Sequence, residues 1–383
     1  MIALVAALAA IAVGAGHARA PVALVAPPAR RSSAGALSGT PKVSRLSIQQ
    51  LAGQRVIYAY SGLKPPAALL SAIRAGEAGG VILFAPNIAS RAQIRGVIAG
   101  LQRASLASPV HGRLLVLTDQ EGGEVRRLPG APSLSEKQIG ASPDGVSQAR
   151  AAGTGAGRNL ASAGVNANLA PVLDVFRQPG NFIDEFQRSY SSNSGVVSRL
   201  GAAFIAAQQH VGVAATAKHF PGLGAARRNQ NTDLGPVTLT TARARLRAVD
   251  EAPYKAAITA GVKLVMTSWA IYPALDARRP AGLSATVIQG ELRRHLGFRG
   301  VTITDGIDAG AVTRFGNLSR RGVLAAAAGA DLILCAAPLP SENTPAQGIT
   351  VRRALASALT NHRLSLSAAR QSASRILALR ARP

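Results

Sequence analysis

The chain has 383 residues, of which 48% are hydrophobic and 16% charged, and its formal net charge is +25. That length admits two average domains or one large barrel, and so large an apolar fraction argues against general disorder. The basic residues are scattered rather than blocked and only 4% of residues are aromatic, too few for base-stacking platforms, so nucleic-acid binding is set aside and attraction to an anionic cell wall or membrane surface is expected instead.

The N-terminus reads MIALVAALAAIAVGAGHARA. An apolar run from Ile2 to Val13 precedes Ala18-Arg19-Ala20, a small-residue cleavage pattern, so residues 1–20 read as a signal peptide. The run is shorter than a comfortable membrane span. Export with no stable span after cleavage is the expectation; a retained anchor is the competing reading. Residues 21–45 mix Pro, Ala, Ser and Arg without periodicity and read as a flexible linker. No second linker interrupts residues 46–383, where one domain is expected. The single cysteine, Cys335, lies in the apolar run LILCAA. It reads as a core residue and can form no internal disulfide.

Within the domain, short apolar runs alternate with Ala/Leu/Arg-rich helical segments. The strand candidates are residues 55–62, 79–87, 113–123, 165–175, 215–222, 263–273, 300–308 and 330–338. Continuous apolar strands separated by helices predict a parallel sheet buried on both faces. Eight such units predict an α/β fold, a single (β/α)8 barrel of TIM type, with irregularity expected at the first strands. Asp119, Glu121, Asp174, Lys218, His219 and Asp305 all fall at the C-terminal ends of candidate strands. Any one of them could be a cap or a loop residue, but six in phase point to the barrel face on which active sites are built. No His/Cys cluster has metal-ligand spacing and no phosphate-cradling loop is present, so neither metal nor cofactor is expected.

Two stretches carry the chemistry. In GVTITDGID (300–308), Thr302 to Thr304 read as strand and Asp305 is the first carboxylate past its end. KHFPGLGAARRNQNTD (218–233) opens like a catalytic loop, yet it presents Arg227, Arg228, Asn229, Gln230 and Asn231 before its first carboxylate, Asp233.

These segments resemble the N-terminal barrel of glycoside hydrolase family 3, in particular its single-domain bacterial β-N-acetylhexosaminidase branch. TDQEGGEVRRL (118–128) is similar to the family's DQEGG-x-V-x-R-L, NLAPVLDV (168–175) to its APVLDV strand, QRSYSSN (187–193) to its R-S-F-G segment and KHFPGLG (218–224) to KHFPGHG. The block over 265–312 is similar to a long family block that ends in a T-D-x-L-x-M-like nucleophile segment. The likeness spans about residues 46–383. It implies a retaining β-glycosidase, which needs one carboxylate as nucleophile and one group as general acid/base. The implied substrate is a carbohydrate, terminal β-linked N-acetylglucosamine of cell-wall or chitin fragments.

The resemblance puts the nucleophile at Asp305, and the reading of the strand agrees. Asp308 reads as a cap of the following helix. Asp119 is implied to accept hydrogen bonds from sugar hydroxyls, and Arg127, Arg188, Lys218 and His219 to bind substrate through charge-assisted hydrogen bonds. His219 could equally be a supporting residue, and Glu121, in a tight E-G-G turn, reads as structural.

The sequence also departs from the branch. The branch carries an Asp-x-His pair as its acid/base after KHFPGHG. Counted without gaps from Lys218, those positions are Asn229 and Asn231, and asparagine has no titratable proton for such work. Leu223 replaces the His of PGHG, Trp269 stands where the family often has His, and Glu124 where it often has Arg. Three explanations stay open. Asp233 is the acid/base in a loop of altered length, its pKa raised by burial; or activity is weak, or helped by a good leaving group or the substrate's acetamido group; or the pocket binds sugar without turnover. Two-domain members borrow a Glu from a second domain, which the one-domain reading does not provide. The competing functions are therefore a β-glucosidase or β-xylosidase of the same family and a catalytically silent wall-binding protein.

Overall fold

Each expected apolar run forms one strand of a closed parallel barrel. The computed structural model describes residues 43–383; the expected signal peptide and the linker up to residue 42 lie outside the described residues. Val43–Arg45, which the sequence assigned to the linker, form one 3-10 turn.

The eight strands are β1 Val56–Tyr58, β2 Gly80–Ile82, β3 Leu115–Thr118, β4 Ala167–Asn168, β5 Ala214–Phe220, β6 Leu264–Thr267, β7 Val301–Gly306 and β8 Leu332–Cys335. Each pairs with the next, and β8 closes on β1 with Ile333 opposite Val56. Side chains alternate across a strand. Ile57, Leu115, Leu117, Leu264, Met266, Ile303, Leu332 and Leu334 form one buried cluster and fill the barrel. Their neighbours Val56, Tyr58, Val116, Ile333 and Cys335 join another cluster with the surrounding helices. Burial on both sides is why the strands read as unbroken apolar runs.

Irregularity was expected at the first strands, but the register shifts lie elsewhere. They fall between Ala217 and Phe220, where β5 meets β6, and between Ile303 and Gly306, where β7 meets β8. Such slips re-aim side chains, and these strands carry Lys218, His219 and Asp305.

Several helices begin at side-chain caps. Ser47 and Gln50 form a reciprocal capping box, and Asn193 and Asn317 cap Ser194–His210 and Leu318–Ala328. The last helix, Leu366–Ala381, closes the end where the strands start. Its Ile376 and Leu379 join the barrel cluster. Its buried Arg380 donates to the Gly112 carbonyl at 3.0 Å, and also to the Arg113 carbonyl and Gln54 Oε1. The opposite end is left for a site. No helix among the described residues is long and apolar enough to cross a membrane.

Candidate active site

The C-terminal mouth of the barrel holds a cavity of about 250 Å3. Asp119, Arg127, Arg188, Lys218, His219, Asp233 and Asp305 all line it, so every site residue expected from the sequence comes to one place.

After β3 the chain folds into a small hairpin, Gln120–Gly122 against Val125–Arg126. Gly122 has φ +124° and a Cβ there would sit 2.2 Å from the Leu134 carbonyl oxygen, so only glycine lets the hairpin close. The turn sets Glu121 beneath the cavity at 1% exposure. Arg188 grips Glu121 through Nε and Nη2, both at 2.9 Å. Lys218 Nζ lies 2.7 Å from Glu121 and 2.7 Å from Asp119. Burial opposes the charge on Glu121, but Arg188 and Lys218 outweigh it and hold the carboxyl down at about 2. Burial likewise opposes charge on Asp119 and Lys218. Lys218 and Arg127 nevertheless keep Asp119 below the carboxylate range, and Asp119 and Glu121 push Lys218 above its ordinary value. Glu121 is thus the hub of an ion network that lines the cavity. The network leaves valences for a ligand: one N–H of Lys218, Nη1 of Arg188 and Oδ2 of Asp119.

His219 is held by a residue that the sequence marked only as a strand-end acid. Asp174, fully buried, accepts from the His219 ring at Nδ1 (2.8 Å), from the His219 N–H (3.3 Å) and from the Leu223 N–H (2.6 Å). In the neutral ring a proton on Nδ1 leaves Nε2 as a free acceptor. The signal in the sequence was the aspartate closing the NLAPVLDV strand.

On β7, the strand runs through Gly306, so Asp305 lies within its end rather than past it. Its Oδ1 accepts the Gly306 N–H at 2.8 Å. The buried Trp269 indole donates to the Gly306 carbonyl at 2.7 Å, bracing the strand beside Asp305. Asp308 does not cap a helix. The next turn, Gly310–Phe315, has Ala309 at its N-cap, and Asp308 instead pairs with Arg321 at 3.2 Å and Gln347 at 3.4 Å.

The loop after β5 explains the two asparagines. Asn229 is exposed and faces a separate surface pocket beside Arg227 and Arg228. Asn231 lies outside the cavity lining, and its Oδ1 accepts the Asp233 N–H at 2.8 Å, a side-chain turn that delivers Asp233 to the rim. The strap is clipped to the turn after β7: Gly310 N–H donates to the Asp233 carbonyl at 2.8 Å and Ala311 N–H to that of Thr232 at 3.1 Å. The Asp233 carboxyl is pushed up to about 6, by desolvation first and then by the Asp305 carboxylate. Asp233 is exposed as a residue, so the neighbouring charge is the more durable cause. Leu223 lines the wall, while Glu124 is exposed and takes no part.

Ligand atoms of Glu251, Glu291 and His295 lie within 4.8 Å of one another on the outer helices. Arg247 already grips both oxygens of Glu291, and no such group forms in the cavity among the described residues.

A sequence model described as "Glycosyl hydrolase family 3 N terminal domain" matches residues 43–379. A protein of Arthroderma benhamiae named "Uncharacterized secreted glycosyl hydrolase" is 45% identical over 86% of this chain and 92% of its own. "Beta-hexosaminidase A" of Pseudoalteromonas piscicida is 34% identical over 66% of this chain and 44% of its own. The solved structure of a glycoside hydrolase family 3 β-N-acetylglucosaminidase from Paenibacillus superposes with a TM-score of 0.81 at 35% identity, covering 87% of this chain and 62% of that one. The chain therefore spans less than two thirds of the length of the last two proteins.

Proposed function

Because the chain belongs to glycosyl hydrolase family 3 and is a glycoside hydrolase, we propose that it is an exported retaining β-N-acetylhexosaminidase releasing terminal β-linked N-acetylglucosamine from cell-wall or chitin fragments. One observation carries the mechanism. Asp233 and Asp305 share a cavity, and the Asp305 charge helps raise the Asp233 carboxyl towards neutrality. Pairs whose environments push their pKa values apart divide into an acid and a nucleophile.

Lys218, Arg127, Arg188, His219 and Asp119 hold the sugar hydroxyls. The Asp305 carboxylate attacks the anomeric carbon as the glycosidic C–O bond breaks, and Asp233 gives its proton to the departing oxygen. Asp233, now a carboxylate, takes a proton from water; the water attacks the same carbon and frees Asp305. The choice of sugar is supported by the printed names of the Paenibacillus and Pseudoalteromonas proteins. Export is supported by the leader-like N-terminus and by the word "secreted" in the name of the Arthroderma protein.

The test is turnover of aryl β-N-acetylglucosaminide, β-glucoside and β-xyloside by the mature protein beside Asp305→Ala. Preference for the N-acetylglucosaminide, lost by about 10³-fold or more in the variant, is expected. Preference for glucoside or xyloside moves the enzyme to another specificity of the family. Wild type no faster than Asp305→Ala on every sugar rejects catalysis and leaves a sugar-binding pocket.

A further inference from the structure

The end of the barrel opposite the catalytic mouth carries another cavity, of about 720 Å3. Its walls come from the approaches to β1, β7 and β8 and from the last helix, and they include Arg55, Arg293, Arg294, Arg299, Asp331 and Arg375. Five guanidinium groups against one carboxylate leave a surplus of four positive charges.

Asp331 is saturated by its neighbours. It accepts from Arg293 at 2.6 Å, Arg375 at 2.7 Å, the Ser372 hydroxyl at 2.7 Å and the Thr302 N–H at 2.9 Å. Arg55 is spent on backbone carbonyls, that of Ala330 at 2.6 Å foremost. These contacts explain Asp331, Arg55 and part of Arg293 and Arg375 as structure. They do not explain the surplus. Arg294 and Arg299 are exposed and have no ion-pair or hydrogen-bond partner among the described residues. The Nε of Arg293 is buried without a partner. Burial lowers the Arg293 guanidinium below its ordinary range, and the charges of Arg375 and Arg299 add to that against the pull of Asp331.

We infer that this cavity binds a phosphate-bearing anion, with Arg293 and Arg375 as its floor and Arg294 and Arg299 closing on the phosphoryl oxygens. Planar guanidinium forks match phosphate through paired N–H bonds. A multiply charged phosphoryl group cancels a surplus that no protein carboxylate among the described residues answers. The net charge of +25 draws such anions from a distance. Because the cavity lies at the far end of the barrel, a phosphate-bearing wall polymer or lipid headgroup held there leaves the catalytic mouth open. The inference is independent of which sugar is cleaved, or whether any is.

Pyrophosphate titrated calorimetrically at low ionic strength should bind once per chain. Arg294→Ala/Arg299→Ala should weaken binding about tenfold or more. Arg74→Ala/Arg158→Ala removes the same charge from exposed positions elsewhere and should change it less than about twofold. All four positions are exposed, and thermal melting and unchanged glycoside turnover verify that the fold is kept. Co-sedimentation with phosphatidylglycerol against phosphatidylcholine vesicles, and capture on immobilised poly(glycerol phosphate), assign the source. Retention lost only in the Arg294/Arg299 variant identifies headgroup or polymer, while pyrophosphate binding with neither identifies a free phosphate. No saturable pyrophosphate binding, or equal weakening in both double variants, overturns the inference.

Discussion

Asn231 stands two residues before Asp233 and accepts its N–H, so a residue that cannot itself titrate sets the residue that can. The first carboxylate after KHFPG was visible in the sequence, as were the charged residues at strand ends. The Asn231 turn and the grip of Asp174 on His219 were not, because both depend on backbone direction across a loop. The shift on Asp233 also has a consequence for stability. Desolvation and the Asp305 charge push the native carboxyl up to about 6, against an ordinary value of 3.8. Between those values the native state binds more protons than the unfolded chain, so stability falls as pH rises through that window. Asp233→Asn should therefore raise Tm above pH 6 and leave it unchanged below 3.8, by a small margin because the residue is exposed. A melting series of both proteins across pH measures this, and a variant that melts lower at high pH would show that the ionised carboxylate is favourably paired.

At the scale of elements, the site depends on two loops meeting. The strap after β5 carries Asp233, and the turn that follows Asp305 at the end of β7 carries Gly310. Gly310 joins them: a Cβ there would lie 2.3 Å from the Leu234 carbonyl oxygen and 3.0 Å from that of Asp233. Gly310→Ala must push the strap away from Asp305, and misplacement of about 1 Å costs about 10²-fold. kcat/KM should fall far more on substrates with poor leaving groups than on activated aryl glycosides, with Tm little changed. Equal loss on both substrates would mean that the glycine serves folding rather than proton delivery. The strands were legible because burial on both faces makes each an apolar run, and their C-terminal ends marked the site. The register slips at β5 and β7 were not legible, since pairing offsets depend on neighbours distant in sequence. Asp308 misled for a related reason: its partners Arg321 and Gln347 lie 13 and 39 residues away.

The whole molecule is polar along the barrel axis. The last helix and Arg380 seal the end where the strands start, and the opposite mouth gathers the acids and bases. An eight-fold pattern in the sequence was enough to predict the barrel. It did not show the seal, because Arg380 reads as one more arginine on a basic helix, and its acceptors come from segments more than 260 residues earlier. The central claim is that this scaffold brings an ordinary carboxylic acid, Asp233, to the place where the sequence shows only asparagines. The direct measurement is azide rescue of Asp233→Ala on an aryl β-N-acetylglucosaminide, with the product identified by NMR. General acid/base groups contribute about 10²–10⁴-fold, so the variant should be slow. Azide, seated in the space of the lost carboxylate, should restore turnover and yield the β-configured glycosyl azide by attack on the Asp305 intermediate. A variant that keeps wild-type turnover on poor leaving groups, or that azide neither accelerates nor converts to a glycosyl azide, would contradict the account.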